Sequence, residues 1–342
     1  MAGVSAIIIS YNGIGFIPAC LLTLRADLAG HDYEIIVIDN HSRDGTIEYV
    51  QKEYPDVTVI ANPQNFGFAK AVNQGISVSK KEYLWIVNQD VRIRQGCINA
   101  LLACSRVIEK PGVIGPKFVG FDGRLQRSCR RFPRYRHMVF ELTGLAYLLP
   151  RSGIFNSWKM GDFNHQFSRS VEQPMGAAML ISKNCINAVG PMDESFGIFL
   201  NDVDFCQRVR NAGYTNYYCA EAVIEHYSGA SVEQARPKMV WQWHISMFRY
   251  FLKQEKTRPG GSIRWWGLMM ACLMGFVLIA VAIPRSIFHC VKQFFYYSYR
   301  NASIGFSDAA LRAGYQPKKM PMAAEKENPS RTEKTDTVTG QP

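Results

Sequence analysis

Five places in the sequence carry side chains suited to chemistry on a phosphorylated substrate. Asp90 closes the run Tyr83-Leu84-Trp85-Ile86-Val87-Asn88-Gln89-Asp90. A carboxylate at the end of an apolar strand can hold Mg²⁺ or Mn²⁺ against two phosphates, because hard cations take oxygen ligands. The same residue could instead cap the next turn. Asp39 ends a second apolar run, from Glu34. It could accept a hydrogen bond from a pyrimidine N–H or a ribose hydroxyl, or serve as a turn aspartate. The stretch from Asn65 through Gly67 to Gly75 joins a glycine to a helix start, an arrangement that favours an anion. Asp202 and Asp204 flank Val203 at another helix start. Carboxylates at i and i+2 face different sides of a helix, so one can act as a base while the other orders the helix. Both could equally be first-turn acids that complement the helix dipole. His226 follows a strand in a Gly/Ser-rich run and could meet a metal or a phosphate, or be an ordinary loop histidine.

The elements that must position these residues alternate. Val4–Ser10, Glu34–Asp39, Val57–Ala61 and Tyr83–Asn88 are short, apolar and continuous, as strands buried on both faces are. Helical spacing separates them: Phe16, Ile17, Cys20, Leu21 and Leu24; residues 46–54; and Phe68–Ser77. Such alternation predicts a mainly parallel sheet with right-handed crossovers. Ligands then bind beyond the carboxyl ends of the strands. Ser10-Tyr11-Asn12, Asp39-Asn40, Asn62 and Asn88-Gln89-Asp90 all fall there. Farther on, the pattern predicts a helix over Gly96–Glu109, a small-residue strand over Met175–Ser182 and a helix over Val203–Asn211. A strand over Thr215–Cys219 and an aromatic helix over Lys238–Lys253 follow. Residues 117–170 show few clear periods and read as loop and short helix, with Arg127, Arg130, Arg131, Arg134 and Arg136 among them.

Composition narrows the class. With 342 residues, 47% of them hydrophobic, the chain can bury a large core without disulfides. Nine cysteines lie scattered with no CxxC pair, which excludes a zinc ribbon or a secreted disulfide scaffold and suits a reducing compartment. The net charge of +11 suits an anionic partner: nucleic acid, anionic lipid or a diphosphate. No basic n-region precedes the first strand, so the folded part is expected on the side where it is made. Trp265–Ile283 carries no charge and lies between Arg264 and Arg285. It is long enough to cross a bilayer or lie in one, with Trp265, Trp266, Tyr296, Tyr297 and Tyr299 placed like interfacial belts. Gly267 and Gly275 interrupt it, which leaves a buried soluble helix open. A polar tail runs from Lys318 to Pro342 and reads as disordered.

Taken in order, these pieces resemble glycosyltransferase family 2, and within it the rhamnosyltransferase-like branch. The matching stretches are Val4–Asn12, Ile35–Gly45, Asn65–Gly75, Leu84–Asp90, Gly176–Ile181, Gly190–Phe196, Asp202–Gly213 and His226–Ser231. Each is weak alone; the ordered set is specific and covers about the first 250 residues.

The resemblance implies a GT-A fold: an α/β, Rossmann-like, mixed and mainly parallel sheet flanked by helices. It would occupy residues 1–255, with a membrane-associated helical region over 256–317 and the tail over 318–342. It implies that Ser10, Tyr11, Asn12, Asp39, Asn40, Asn65, Gly67, Asn73 and Gln89 line a nucleotide-diphosphate sugar. Asp90 and His226 would serve an Mg²⁺ or Mn²⁺ ion, and His226 would also lie near the diphosphate. Asp202 would be the general base of an inverting displacement, and Arg208 and Arg210 would meet acceptor phosphate. The expected reaction is transfer of L-rhamnose from dTDP-L-rhamnose to a lipid-linked saccharide in O-antigen-like lipopolysaccharide biosynthesis. It would take place at the cytoplasmic face of the inner membrane, peripherally or through a single pass. A UDP-sugar donor and a non-catalytic nucleotide-sugar-binding membrane module are the competing expectations. The ordered pattern speaks against the nucleic-acid partner that the charge alone would allow. Two positions depart from the family pattern. Asn88 stands where an acid usually begins the metal motif, leaving one carboxylate for the cation. Asn201 stands where an acid usually precedes the base; an amide there removes a like charge and is expected to lower the pKa of Asp202 relative to an acidic pair.

Overall fold

The computed structural model describes residues 2–227, 236–257 and 265–303. The chain divides into a unit over Met1–Cys290 and a second from Val291, of which only the end of one helix is described. The expected tail over 318–342, the Ser228–Ser231 part of the last motif, and the side chains of Trp265, Trp266, Tyr296, Tyr297 and Tyr299 lie outside the description.

β1 (Val4–Ser10) is buried along its whole length. It lies between β2 (Tyr33–Asp39) and β4 (Tyr83–Asn88), parallel to both. β3 (Thr58–Ala61) adds in parallel outside β2. The first crossovers run through α1 (Ile17–Leu28), α2 (Thr46–Glu53) and α3 (Phe68–Val78). The register sets Ser10 beside Asp39 and Ile9 beside Asn88, so three strand ends finish level. That alignment brings three separate polar turns to one rim.

The far half reverses direction. β11 (Ala178–Ser182) runs antiparallel between β4 and β6 (Pro111–Val119), and β12 (Thr215–His226) follows parallel to β6. The sheet order is β3-β2-β1-β4-β11-β6-β12-β5, where β5 is Val91–Ile93. The sheet is thus mixed, with helices on both faces, as expected. β12 runs on to His226, past the expected end at Cys219. A register shift between Cys219 and Val223 bends it, and the second half pairs with β5 directly after Asp90. The charged Glu221 at that bend hid the continuation.

Residues 120–174 supply β7 (Leu125–Gln126), β8 (Cys129–Arg130), β9 (Arg169–Ser170) and β10 (Gln173–Pro174), with α5 (Tyr135–Leu142) and α6 (Leu145–Leu148) between them. Two-residue strands carry no readable period. α4 (Cys97–Val107), α7 (Lys183–Val189) and α8 (Asn201–Asn211) cover the sheet. α9 (Arg236–Lys256) crosses the boundary expected at 255 and packs on α8 through Tyr250, whose hydroxyl donates to Gln207 at 2.9 Å.

α10 (Trp265–Ser303) buries Gly267, Ala271, Met274, Gly275, Leu278 and Ala282 along one stripe. Of these, Ala271, Met274 and Leu278 share a core with Met247, Tyr250 and Phe251 of α9. Its two glycines are closest-approach points: a Cβ at Gly275 would strike the Phe248 ring, and one at Gly267 the Glu255 carboxylate. Gly75 does the same work in α3, where a Cβ would collide with the Ile7 side chain on β1.

Gly75→Ala therefore tests the packing. Helix propensity alone would stabilise by about 1 kcal/mol, whereas overpacking costs about 1–3 kcal/mol. Chemical denaturation should show net destabilisation with an unchanged m-value; a gain in stability would refute the close contact.

Candidate active site

The rim begins with Asp39, fully buried at the end of β2. Its carboxylate accepts the backbone N–H of Ser42 at 2.8 Å and also the Ser42 hydroxyl. Ser42 Oγ in turn accepts the Asn12 N–H at 2.8 Å, and Asn12 Oδ1 accepts the Arg43 N–H. Asp44 accepts the Ile14 N–H, and Thr46 Oγ1 accepts that of Gly13. The two turns after β1 and β2 are thus one hydrogen-bonded body. Asn12 and His41 sit in it at positive φ, 47° and 72°, a conformation that asparagine and histidine tolerate better than most residues.

Gln89 is the third strand's contribution. Its carbonyl accepts the Ser10 hydroxyl at 2.7 Å and the Tyr11 N–H at 3.0 Å, and its NH₂ donates to the Tyr11 carbonyl. A Cβ at Gly13 would occupy the Gln89 amide's place. The expectation that Gln89 lines the nucleotide is corrected: both ends of its amide hold the turn. Tyr11 keeps a partly exposed ring above that fixed backbone.

Asn40 donates to the Gly67 carbonyl at 3.1 Å and accepts from Asn62, which exchanges amide hydrogen bonds with Gln74. Asn65 Oδ1 accepts the Gly67 N–H, setting Gly67 at φ 85° at the start of α3. Asn73 has a different task from the expected one. Its amide exchanges two 2.9 Å hydrogen bonds with the Met192 backbone and donates to Glu194. It clamps the segment leading to α8, and both of its amide hydrogens are engaged there.

Asp90 and His226 meet across the sheet edge. The β5–β12 pairing sets His226 beside Val91, and Asp90 Oδ1 stands 3.6 Å from His226 Nε2. Both side chains are nearly buried. The separation is long for a hydrogen bond yet within reach of one cation with ligand bonds of about 2.1 Å. Gln126, unremarked in the sequence, holds the imidazole from behind: its Oε1 lies 3.1 Å from His226 Nδ1 and its NH₂ donates to the His226 carbonyl.

Asp202 lies across the β4–β11 junction. Asn88 N–H donates to the Ala177 carbonyl, and the Gly176 N–H one residue earlier donates to Asp202 Oδ2 at 3.0 Å. Gln173 donates to the same oxygen at 2.8 Å, and the Val203 N–H to Oδ1. Burial raises the Asp202 carboxyl above the ordinary aspartate value; the donors from Val203, Gly176 and Gln173 oppose this without overcoming it. Desolvation, and not the Asn201 substitution, thus decides the direction. Asn201 faces away, donating to the Ile198 carbonyl. Leu200 enters α8 at φ 66°, an uncommon conformation for a non-glycine residue that is often stored at functional sites.

Asp204 takes the ordering role. Its buried carboxylate meets Arg208 at 3.0 Å and Lys253 of α9 at 2.7 Å. Arg208 is corrected as an acceptor-phosphate residue: its three nitrogens are bound to Asp204 and to the carbonyls of Val189 and Pro191. Arg210 pairs with Glu172 at the edge of a pocket of about 530 Å³ that Arg134, Tyr135 and Phe251 also line. Arg130 of the basic stretch lies on β8 opposite Gln173. Burial lowers its guanidinium, and Asp202 is among the charges that oppose the shift.

Known proteins resemble this chain in sequence and fold. The family model described as "Glycosyl transferase family 2" matches residues 5–159. These residues resemble glycosyltransferase family 2. The N-acetylglucosaminyl-diphospho-decaprenol L-rhamnosyltransferase of Mycobacterium tuberculosis is 24% identical to this chain over 268 residues, 74% of this chain and 85% of that protein. That alignment supports the rhamnosyltransferase-like branch. The low-salt glycan biosynthesis hexosyltransferase Agl10 of Haloferax volcanii is 23% identical over 64% of this chain and 66% of its own length. Among solved structures, the mannosyltransferase PcManGT of Pyrobaculum calidifontis, bound to GDP-Man and Mn²⁺, matches with a TM-score of 0.52. It is 15% identical, covering 91% of this chain and 78% of that one, and shows the GT-A-like fold.

Gly176 provides a local test. A Cβ there would lie 2.9 Å from the Asp202 Cβ. Gly176→Ala should lower kcat by about tenfold or more while donor affinity changes little, since misplacing a reacting group mainly affects the chemical step. Unaltered kcat would show that the Asp202 position is not critical.

Proposed function

We propose that this glycosyltransferase moves L-rhamnose from dTDP-L-rhamnose onto a lipid-linked saccharide of a surface polysaccharide, in one inverting displacement. The Mycobacterium relative, whose printed name states an L-rhamnosyltransferase and a decaprenol-linked substrate, supports the donor sugar and the acceptor class. A different hexose donor is the second reading, and the Haloferax hexosyltransferase favours it.

The observation that carries the mechanism is the raised, hydrogen-bonded carboxylate of Asp202. A base works best when its pKa moves toward the operating pH. In this reading an acceptor hydroxyl gives its proton to Asp202 while its oxygen bonds to the anomeric carbon. The bond from that carbon to the diphosphate breaks on the opposite face, and the nucleoside diphosphate leaves with the electron pair. The joined turns at Asn12, Asp39 and Asn40 would receive the nucleoside, with the Tyr11 ring beside it. Ser10 and Gln89 would act by fixing Tyr11, and Asn65 by shaping Gly67. Asp90 and His226 would hold Mg²⁺ or Mn²⁺, which when bound would neutralise charge on the departing diphosphate. With one carboxylate and one imidazole from the protein, the donor diphosphate would supply further oxygen ligands.

Nucleotide release from dTDP-rhamnose and a panel of UDP-sugars, with membrane extract as acceptor source, tests this reading. Asp202→Asn should cost about 10²–10⁴ in kcat while donor binding survives. Turnover at the wild-type rate would remove Asp202 as base, and transfer from a UDP-hexose alone would remove rhamnose. Binding without turnover by wild type, given a competent acceptor, would favour the binding-module reading.

The pH dependence has a definite sign. The base acts ionised and its pKa is raised, so kcat/KM should rise with pH through a value above the ordinary aspartate range. The same shift means that ionising Asp202 costs the folded state stability, present at low pH and lost as pH rises through the raised pKa. A rate profile flat through the acid limb would contradict the assignment.

A further inference from the structure

Two exposed apolar surfaces meet at one point of the fold. The first is the outer face of α10: Met269, Leu273, Phe276, Ile283 and Ile287 are exposed, opposite the stripe packed on α9. The 18-residue window Gly267–Pro284 has a mean hydropathy of 2.4, yet a third of it is buried against protein. A helix whose inner stripe belongs to the α9 core cannot have lipid all around it. Its outer face suits a helix lying in a membrane surface.

The second surface is the excursion around α6. Tyr147 is 87% exposed, Leu148 69% and Ile154 69%, with Val139 and Leu149 each at 45%. Five large apolar side chains exposed within so short a stretch form a patch, not scattered singles. The segment is nonetheless anchored from within. Phe140 packs edge-on to Phe155, Trp158 approaches Trp243 of α9, and Lys159 pairs with Glu141. Arg136 and Arg151 stand exposed beside the apolar residues.

The two surfaces start side by side. The Tyr135 hydroxyl, in the first turn of α5, lies 3.4 Å from the Gly267 carbonyl at the start of the apolar window. Tyr135 also stacks on Phe251 of α9.

We propose that the α5–α6 excursion is a second membrane contact, which with the outer face of α10 seats the catalytic unit on an anionic lipid surface. Tyr147, Leu148 and Ile154 would enter the headgroup–acyl boundary. Arg136 and Arg151 would pair with lipid phosphates, as basic side chains beside apolar ones do at interfaces. A second contact beside the first fixes orientation where a single helix leaves the unit free to roll about its axis. Neither contact involves donor chemistry, so the proposal stands or falls separately from the rhamnose reading.

The test is a lipid titration of the full chain, without donor, by vesicle co-sedimentation. One series uses phosphatidylcholine alone and the other adds phosphatidylglycerol. Wild type should bind both, more tightly with phosphatidylglycerol. The triple variant Tyr147→Ser, Leu148→Ser, Ile154→Ser should lose roughly tenfold or more of its partition coefficient, since three apolar side chains leave the boundary. Its thermal unfolding midpoint should stay unchanged, because these side chains are exposed. Leu148→Asp alone should lose severalfold and guards against a folding defect in the triple variant. Wild-type partitioning by both variants would overturn the proposal. So would conversion of a dimer to a monomer by the triple variant without vesicles, which would make the patch an interface between copies.

Discussion

A carboxylate taken out of water must be held by donors, or it takes up a proton and stops being a base. Asp202 is held by two backbone N–H groups and one amide, and much of the structure around it follows. The Gly176 N–H can reach the carboxylate only because residue 176 has no side chain. Gln173 reaches it because β10 pairs with β8 and fixes the strand that carries it. The helix start that presents Asp202 is pinned from below by Asp204, Arg208 and Lys253. Breaking such a buried charge cluster by removing one partner costs several kcal/mol, so α9 belongs to the scaffold that positions Asp202.

The rim at the ends of β1, β2 and β4 rests on a different device. Three strand ends finish level, and hydrogen bonds accepted by Asn12 and Thr46 and donated by Gln89 weld their turns together. A preorganised rim of this kind loses little entropy when a nucleotide arrives. The two sides join where Asn88 pairs with Ala177, next to Gly176. A movement of either side is therefore felt by the other through two residues of backbone.

The near half of the fold was legible because buried parallel strands are short apolar runs, and β1, β2 and β4 ended where their polar residues began. The pairing of Asp90 with His226 was foreshadowed only by motif order, since the residues are brought together by a strand whose bend at Ala220-Glu221 breaks the apolar pattern. The roles of Gln89, Asn73 and Arg208 were misjudged for a common reason. A polar side chain in a motif looks like a ligand group until its partners are known, and each of these partners lies on another segment. Gln173, Gln126 and Arg130 sit in two-residue strands with no period to announce them. The glycines of α10, which read as interruptions of an apolar helix, are the points where α9 comes closest.

The central claim is that one carboxylate, Asp202, drives a single displacement at the anomeric carbon. The stereochemistry of the product tests it most directly. The anomeric configuration of the transferred sugar, read by NMR against that of the donor, should be inverted. Retention would require two displacements or attack on the face that the diphosphate leaves, and would contradict the account.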